Sequence, residues 1–180
     1  MTERHFVTGN KGVSLIELLV VIAILAVFAG GGILGVRFIA SGNVQKASQA
    51  ISSALSEVRT DTMSIKAQWE VRIYNDGDSN KVSIYKNGEE HDTTELGGRI
   101  DIKYDNMQSV SGILEENQEL IITFKESSGI VGDIQYGRIG EGKESVMDKN
   151  ASGFKITAES GSRSCGIIVW YETGKVTDDN

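Results

Sequence analysis

The chain has 180 residues, enough for one domain plus an appendage. Its formal net charge is −7, and it holds one cysteine, two histidines and no proline. An acidic body argues against a general nucleic-acid surface, which needs a basic patch, and the lone Cys165 excludes an intrachain disulfide.

Residues 1–12 carry Arg4 and Lys11 against Glu3, with His5 nearby, so this short start is basic while the rest of the chain is acidic. The run Val13–Val36 follows, apolar apart from Ser14 and Glu17. At 1.5 Å per residue it is long enough to span a hydrocarbon core of about 30 Å. It is too long for the apolar region of a secretory signal peptide, and no A-x-A cleavage site follows it. A plain signal anchor is one reading, and a buried core helix fits poorly in so small a protein. Glu17 separates these readings. A charge inside a bilayer costs about 2.5–3.5 kcal/mol on insertion scales, so it calls for a partner. The run itself holds no Lys or Arg. A cut between Gly12 and Val13 would create an α-amino cation about one helical turn from Glu17, or beside the Glu17 of a neighbouring copy.

The residues "KGVSLIELLVVIAIL" (11–25) resemble the cleavage and methylation segment of type IV prepilins and type II secretion pseudopilins. The resemblance implies that a membrane-embedded prepilin peptidase removes a leader ending at Gly12 and N-methylates Val13. It also implies that Glu17 serves subunit docking and methylation. Two departures stand out: the first mature residue is Val13 where the family usually has Phe, and the family's helix-kinking proline is replaced by "GGGILG" (30–35). Gly30, Gly31 and Gly32 form the weakest stretch of the helix, at about 1 kcal/mol per glycine relative to alanine. Gly31 and Gly35 also have the G-x-x-x-G spacing that permits close helix–helix approach in lipid. Glycine is common in membrane helices, so these residues read either as ordinary composition or as a segment that packs tightly or melts locally on leaving the membrane.

Beyond residue 36 the apolar positions Val44, Ala47, Ile51, Leu55, Val58, Met63 and Ile65 begin with helical gaps of three and four. The expected object is one long helix over about 13–65, with Gly42–Asn43 as a candidate break and an apolar stripe laid on a head. After Ala67 the period becomes two. "WEVRIYN" and "KVSIYKN" flank a turn cluster at 76–80 and read as a hairpin. Further strands are expected at 99–104, 119–125, 133–136, 154–158, 164–170 and 175–177. The fold class is therefore α+β: a long N-terminal helix, transmembrane in its first half, packed on an antiparallel seven- to eight-stranded head. The resemblance makes that head one of the pilin and pseudopilin type. The organisation expected is leader 1–12, transmembrane and assembly helix 13–36, amphipathic continuation 37–66 and extracytoplasmic β-rich head 67–180.

Three further patterns carry little chemistry. Asp76, Asp78 and Asn80 have the spacing that opens an EF-hand loop, but Lys81 replaces its sharp-turn Gly and Asn87 its bidentate Glu. Calcium occurs in the major-pseudopilin branch of the resembling family, so these three residues are a weak calcium candidate; no other metal and no cofactor is expected. Gly137, Gly142 and Lys143 mimic a phosphate loop, yet Glu144 stands where a hydroxyl should hold magnesium. With His5 in the leader and His91 in a charged loop, no nucleophilic triad can be assembled, and an enzyme is not expected. Cys165 reads as a packed small residue, with a reactive thiol as the minority reading.

The chain end, "CGIIVWYETGKVTDDN", resembles the C-terminal hairpin of H-type minor pseudopilins and related minor pilins, which end in a hydrophobic strand followed by T-G-[RK]-V. "AISSALSEVRTDTMSIKAQWEVRIY" (50–74) resembles their late helix and first strand. The resemblance implies a minor subunit of a type IV pilus or a type II secretion pseudopilus. It would be anchored by a single pass, with its N-terminus cytoplasmic and its head outside, and would pass into a periplasmic or cell-surface filament. Its implied partners are the prepilin peptidase, other pilin or pseudopilin subunits, an inner-membrane assembly platform and membrane lipid. The alternatives are a major filament subunit and a DNA-binding minor pilin of natural transformation. The C-terminal loop offers Lys175 against Asp178 and Asp179, which argues against nucleic acid even with Arg163 near in sequence.

Overall fold

The computed structural model describes residues 14–97 and 99–179, with the backbone alone for 27–42. Among the described residues one α-helix, α1 (Leu15–Ser64), precedes eleven strands. These are β1 (Trp69–Asn75), β2 (Asn80–Lys86), β3 (Glu89–Glu95), β4 (Asp101–Asp105), β5 (Ser111–Ile113), β6 (Gln118–Phe124), β7 (Val131–Arg138), β8 (Lys143–Ser145), β9 (Gly153–Ser160), β10 (Arg163–Trp170) and β11 (Val176–Asp179). Contacts divide the chain into two units, residues 1–38 and 39–180.

The second unit is α+β with wholly antiparallel pairing. Its strands form a six-stranded sheet in the order β3-β2-β1-β6-β7-β8 and a five-stranded sheet in the order β11-β10-β9-β4-β5. The alternation in "WEVRIYN" buries Trp69, Val71 and Ile73 and turns Glu70, Arg72 and Tyr74 outward. Val44, Ala47, Ile51, Ala54, Leu55 and Val58 on α1 join residues of both sheets in one core. The apolar stripe of the helix is thus the lid of a two-sheet core.

Several details differ from the sequence reading. The helix passes through Gly42–Asn43 without a break. Met63 and Ile65, counted in the apolar stripe, are 38% and 42% exposed, because the core-facing stripe ends at Val58. Among the described residues the head has eleven strands in two sheets rather than seven or eight. The charged segment around His91 is not a loop but strand β3, exposed at every residue and held by main-chain pairing with β2. Its signal was the dipeptide Asn87–Gly88, with φ of 53° and 82°, the hairpin turn that needs two left-handed residues. β5 and β8 have three residues each, too few to display a period.

The phosphate-loop look-alike is a hairpin between β7 and β8. Lys143 donates to Glu119 Oε1 at 2.8 Å and to the carbonyls of Arg138 and Glu141 at 2.9 and 2.8 Å, so all three ammonium hydrogens are engaged. Glu119 is only 3% exposed, and Arg72 reaches it from β1 at 3.8 Å. A buried carboxylate needs such company, since isolating it would cost several kcal/mol.

Candidate functional site

The first unit is described from Ser14 onward. Ser14 precedes α1 as its N-cap; its carbonyl accepts hydrogen bonds from the N–H groups of Glu17 and Leu18 at 3.0 and 3.1 Å. Glu17, at the third helical position, returns its Oε2 to the N–H of Ser14 at 3.4 Å. This is the glutamate half of a capping box, S-x-x-E, a sequence signature that the apolar run obscured. The carboxylate also lies in the first turn, where the helix dipole favours negative charge.

Around this single charge the first turns of α1, through residue 26, are apolar on every side. Leu15 is 82% exposed and Leu18 57%, and Ile16, Leu19, Val20, Val21, Ile22, Ile24 and Leu25 are exposed as well. A helix that is hydrophobic all round belongs inside something, a protein core or a bilayer. Covering these nine side chains would be worth on the order of 10 kcal/mol. Among the described residues no helix is long and apolar enough to cross a membrane. The part of the run with described side chains, 14–26, reaches roughly 20 Å at 1.5 Å per residue.

Gly12 and Val13, the cleavage pair of the sequence reading, lie outside the described residues. Gly30, Gly31, Gly32 and Gly35 lie within α1, whose helical backbone runs through them. Residues 8–33 match the family model described as the prokaryotic N-terminal methylation motif. The match takes in Gly12, Val13, Glu17 and the three consecutive glycines, and it stops short of Gly35 and of the head. Searches of curated proteins and of solved structures give no match.

Of the three calcium candidates, Asp76 and Asn80 have side-chain partners within the protein. Asp76 accepts the N–H groups of Asp78 and Ser79, each at 3.1 Å, through one oxygen and pairs with Lys81 through the other. Asn80 is buried, and its amide nitrogen donates to the Ile100 carbonyl. The Lys81 ammonium, with the Ser79 N–H second, lowers Asp76 to a pKa of about 2. Because the folded value lies below the unfolded one, the pair's contribution is full above pH 4 and fades as pH falls toward 2. Lys81→Met is expected to return the Asp76 titration toward the ordinary value of 3.8, read by carboxyl NMR shifts. An unmoved titration would show that the turn N–H groups alone depress it.

At the C-terminal end, Arg59 of α1 ties two turns together. Its Nε donates to the carbonyls of Gly129 and Thr173 at 3.2 and 3.1 Å. Gly174 closes the β10–β11 hairpin through an N–H bond to Trp170 O at 2.8 Å. Its φ is 61°, and a Cβ there would overlap the carbonyl oxygen of Gly129. The T-G-K sequence of the hairpin thus has a local reason: only glycine lets the three pieces meet.

Proposed function

We propose that the chain is a minor pilin or pseudopilin subunit, cut after Gly12 by a prepilin peptidase, N-methylated at Val13 and assembled into a type IV pilus or type II secretion pseudopilus. The observation that carries this reading is Glu17 as the lone charge among residues 14–26 of the chain, where α1 is apolar on every side, within a segment that matches the methylation motif. Before assembly the bilayer would cover residues 13–36; afterwards the helices of neighbouring subunits would. Glu17 would pair with the α-amino group of a subunit, and the pair would strengthen as the bundle excludes water. The remaining partners would be the assembly platform and lipid, with the head outside the cytoplasmic membrane. The test is recovery of the chain in sheared or purified filaments of its host. Consistent absence from them would refute the proposal, whereas dominance in them would favour a major subunit.

The β10–β11 hairpin supports the minor branch, since its turn falls at the T-G-K-V sequence that carries the likeness. A DNA-capturing role finds little support in the head. Of the cations near that hairpin, Lys155 is paired with Asp179, Arg59 donates to the Gly129 and Thr173 carbonyls, and Lys175 has Glu172, Asp178 and Asp179 near in sequence, which leaves Arg163 without an ion pair among the described residues.

A further inference from the structure

Asn87 is followed by Gly88, and these two residues form the turn between β2 and β3. Their φ values of 53° and 82° place both in the left-handed region. Both are exposed, and the space that a Cβ on Gly88 would take is open. Asn87 is fastened twice to one residue. Its N–H donates to the Gln68 carbonyl at 2.7 Å, and its Oδ1 accepts the Gln68 N–H at 3.0 Å. The Gly88 N–H has no acceptor among the described residues.

The turn thus joins a nucleophile to an electrophile. The Gly88 nitrogen is shielded by no side chain of its own, and no carbonyl occupies its N–H. The Asn87 side-chain carbonyl is polarised by the Gln68 N–H, which stands where an oxyanion would develop on Oδ1. The comparable places in the head lack one of these conditions. Gly77 follows Asp76, but its N–H is held by Asn75 Oδ1 at 2.9 Å. Lys81 keeps Asp76 ionised, and a carboxylate is a poor electrophile. After Asn106, Asn117 and Asn150 the next residue carries a side chain. Its N–H is also engaged, by Asp105 Oδ1 at 2.6 Å, the Glu115 carbonyl at 3.2 Å and the Asp148 carbonyl at 3.1 Å respectively.

We infer that Asn87 is a site of spontaneous deamidation whose isoaspartyl product releases β3 from the six-stranded sheet. The Gly88 nitrogen adds to Asn87 Cγ while its proton passes through water to Nδ2. The Cγ–Nδ2 bond breaks, ammonia leaves, and a five-membered succinimide remains. Water then adds to either of its carbonyl carbons. Opening at the Cγ–nitrogen bond restores the ordinary main chain with an aspartate side chain. Opening at the main-chain carbonyl carbon routes the chain through Cβ and Cγ and leaves the old carbonyl as a carboxylate. That second product adds one carbon to a two-residue turn, and the turn sets the register of β3. β3 is exposed throughout and is held by pairing with β2 and by His91 edge-on to Trp69, so it has little to resist the change. Either product places a new negative charge beside Glu89 and Glu90.

The test ages the full chain in detergent at neutral pH and reads it by peptide mass spectrometry that distinguishes aspartyl from isoaspartyl residues. Residue 87 is expected to convert at least about tenfold faster than exposed Asn150, because its attacking nitrogen belongs to a residue without a Cβ. Asn87→Gln should stop conversion at this position, since the attack would then have to close a six-membered ring. In the isoaspartyl fraction the β3 amides should exchange with solvent at least about tenfold faster than in fresh chain. Freshly prepared Asn87→Asp separates the charge from the lengthened chain. It should exchange as fresh chain does, because its carboxylate still accepts the Gln68 N–H. Conversion of residue 87 no faster than that of Asn150 overturns the inference. So does unchanged β3 exchange in the isoaspartyl fraction, and so does β3 exchange in Asn87→Asp as fast as in that fraction.

Discussion

Glu17→Ala is expected to insert in the membrane and lose residues 1–12 in normal amounts, yet to be missing from filaments. The apolar surface of the helix is untouched, so anchoring persists. Alanine is also a better helix former in isolation. What disappears is the carboxylate that, on the proposed function, would pair with an α-amino cation in a dry bundle. Leaving one partner of a buried ion pair alone costs about 3–5 kcal/mol, a loss of a hundredfold or more in incorporation. The structure supplies a competing role, because Glu17 also accepts the Ser14 N–H at the helix N-terminus. Glu17→Gln separates the two. Glutamine keeps the capping hydrogen bond and drops the charge. It should therefore fail in assembly as alanine does; normal filament content of the glutamine variant would reduce Glu17 to a helix cap.

Gly174→Ala is expected to be among the most damaging single substitutions in the head, at about 4 kcal/mol or more. Two effects add. A left-handed backbone costs an alanine about 1–2 kcal/mol. In addition, the new Cβ would overlap the Gly129 carbonyl oxygen, a main-chain atom that also accepts from Arg59. Gly161→Ala is the matched control, since Gly161 has the same φ of 61° and open space around its Cβ position. It should show only the backbone cost. Denaturant midpoints of the two variants read the difference directly, and equal losses would mean that the turns carrying Gly129 and Gly174 relax apart at little cost.

What the sequence disclosed followed from how each element is held. The α1 stripe and the strands around Trp69, Ile121, Ile156 and Ile167 bury side chains on the core, so their periods were legible. β3 is exposed throughout and is fixed by pairing with β2 and by His91 edge-on to Trp69, so composition presented it as a loop; only Asn87–Gly88 announced it. Lys143 lay in a motif shape, but its destination, Glu119, is more than twenty residues away in sequence and could be found only in three dimensions. The division of strands between two sheets was equally hidden, because β6 pairs with β1 and β9 with β4 across long connections. At the N-terminus the reverse held. The glutamate in the apolar run was conspicuous in sequence, and the geometry added Ser14 as the group that orients it.

The most direct test of the account is the mass of the N-terminal peptide from the chain as its host makes it. The account predicts a chain that begins at Val13 and carries one added methyl group on its α-nitrogen. A chain still bearing residues 1–12, recovered from a host with an active prepilin peptidase, would contradict it.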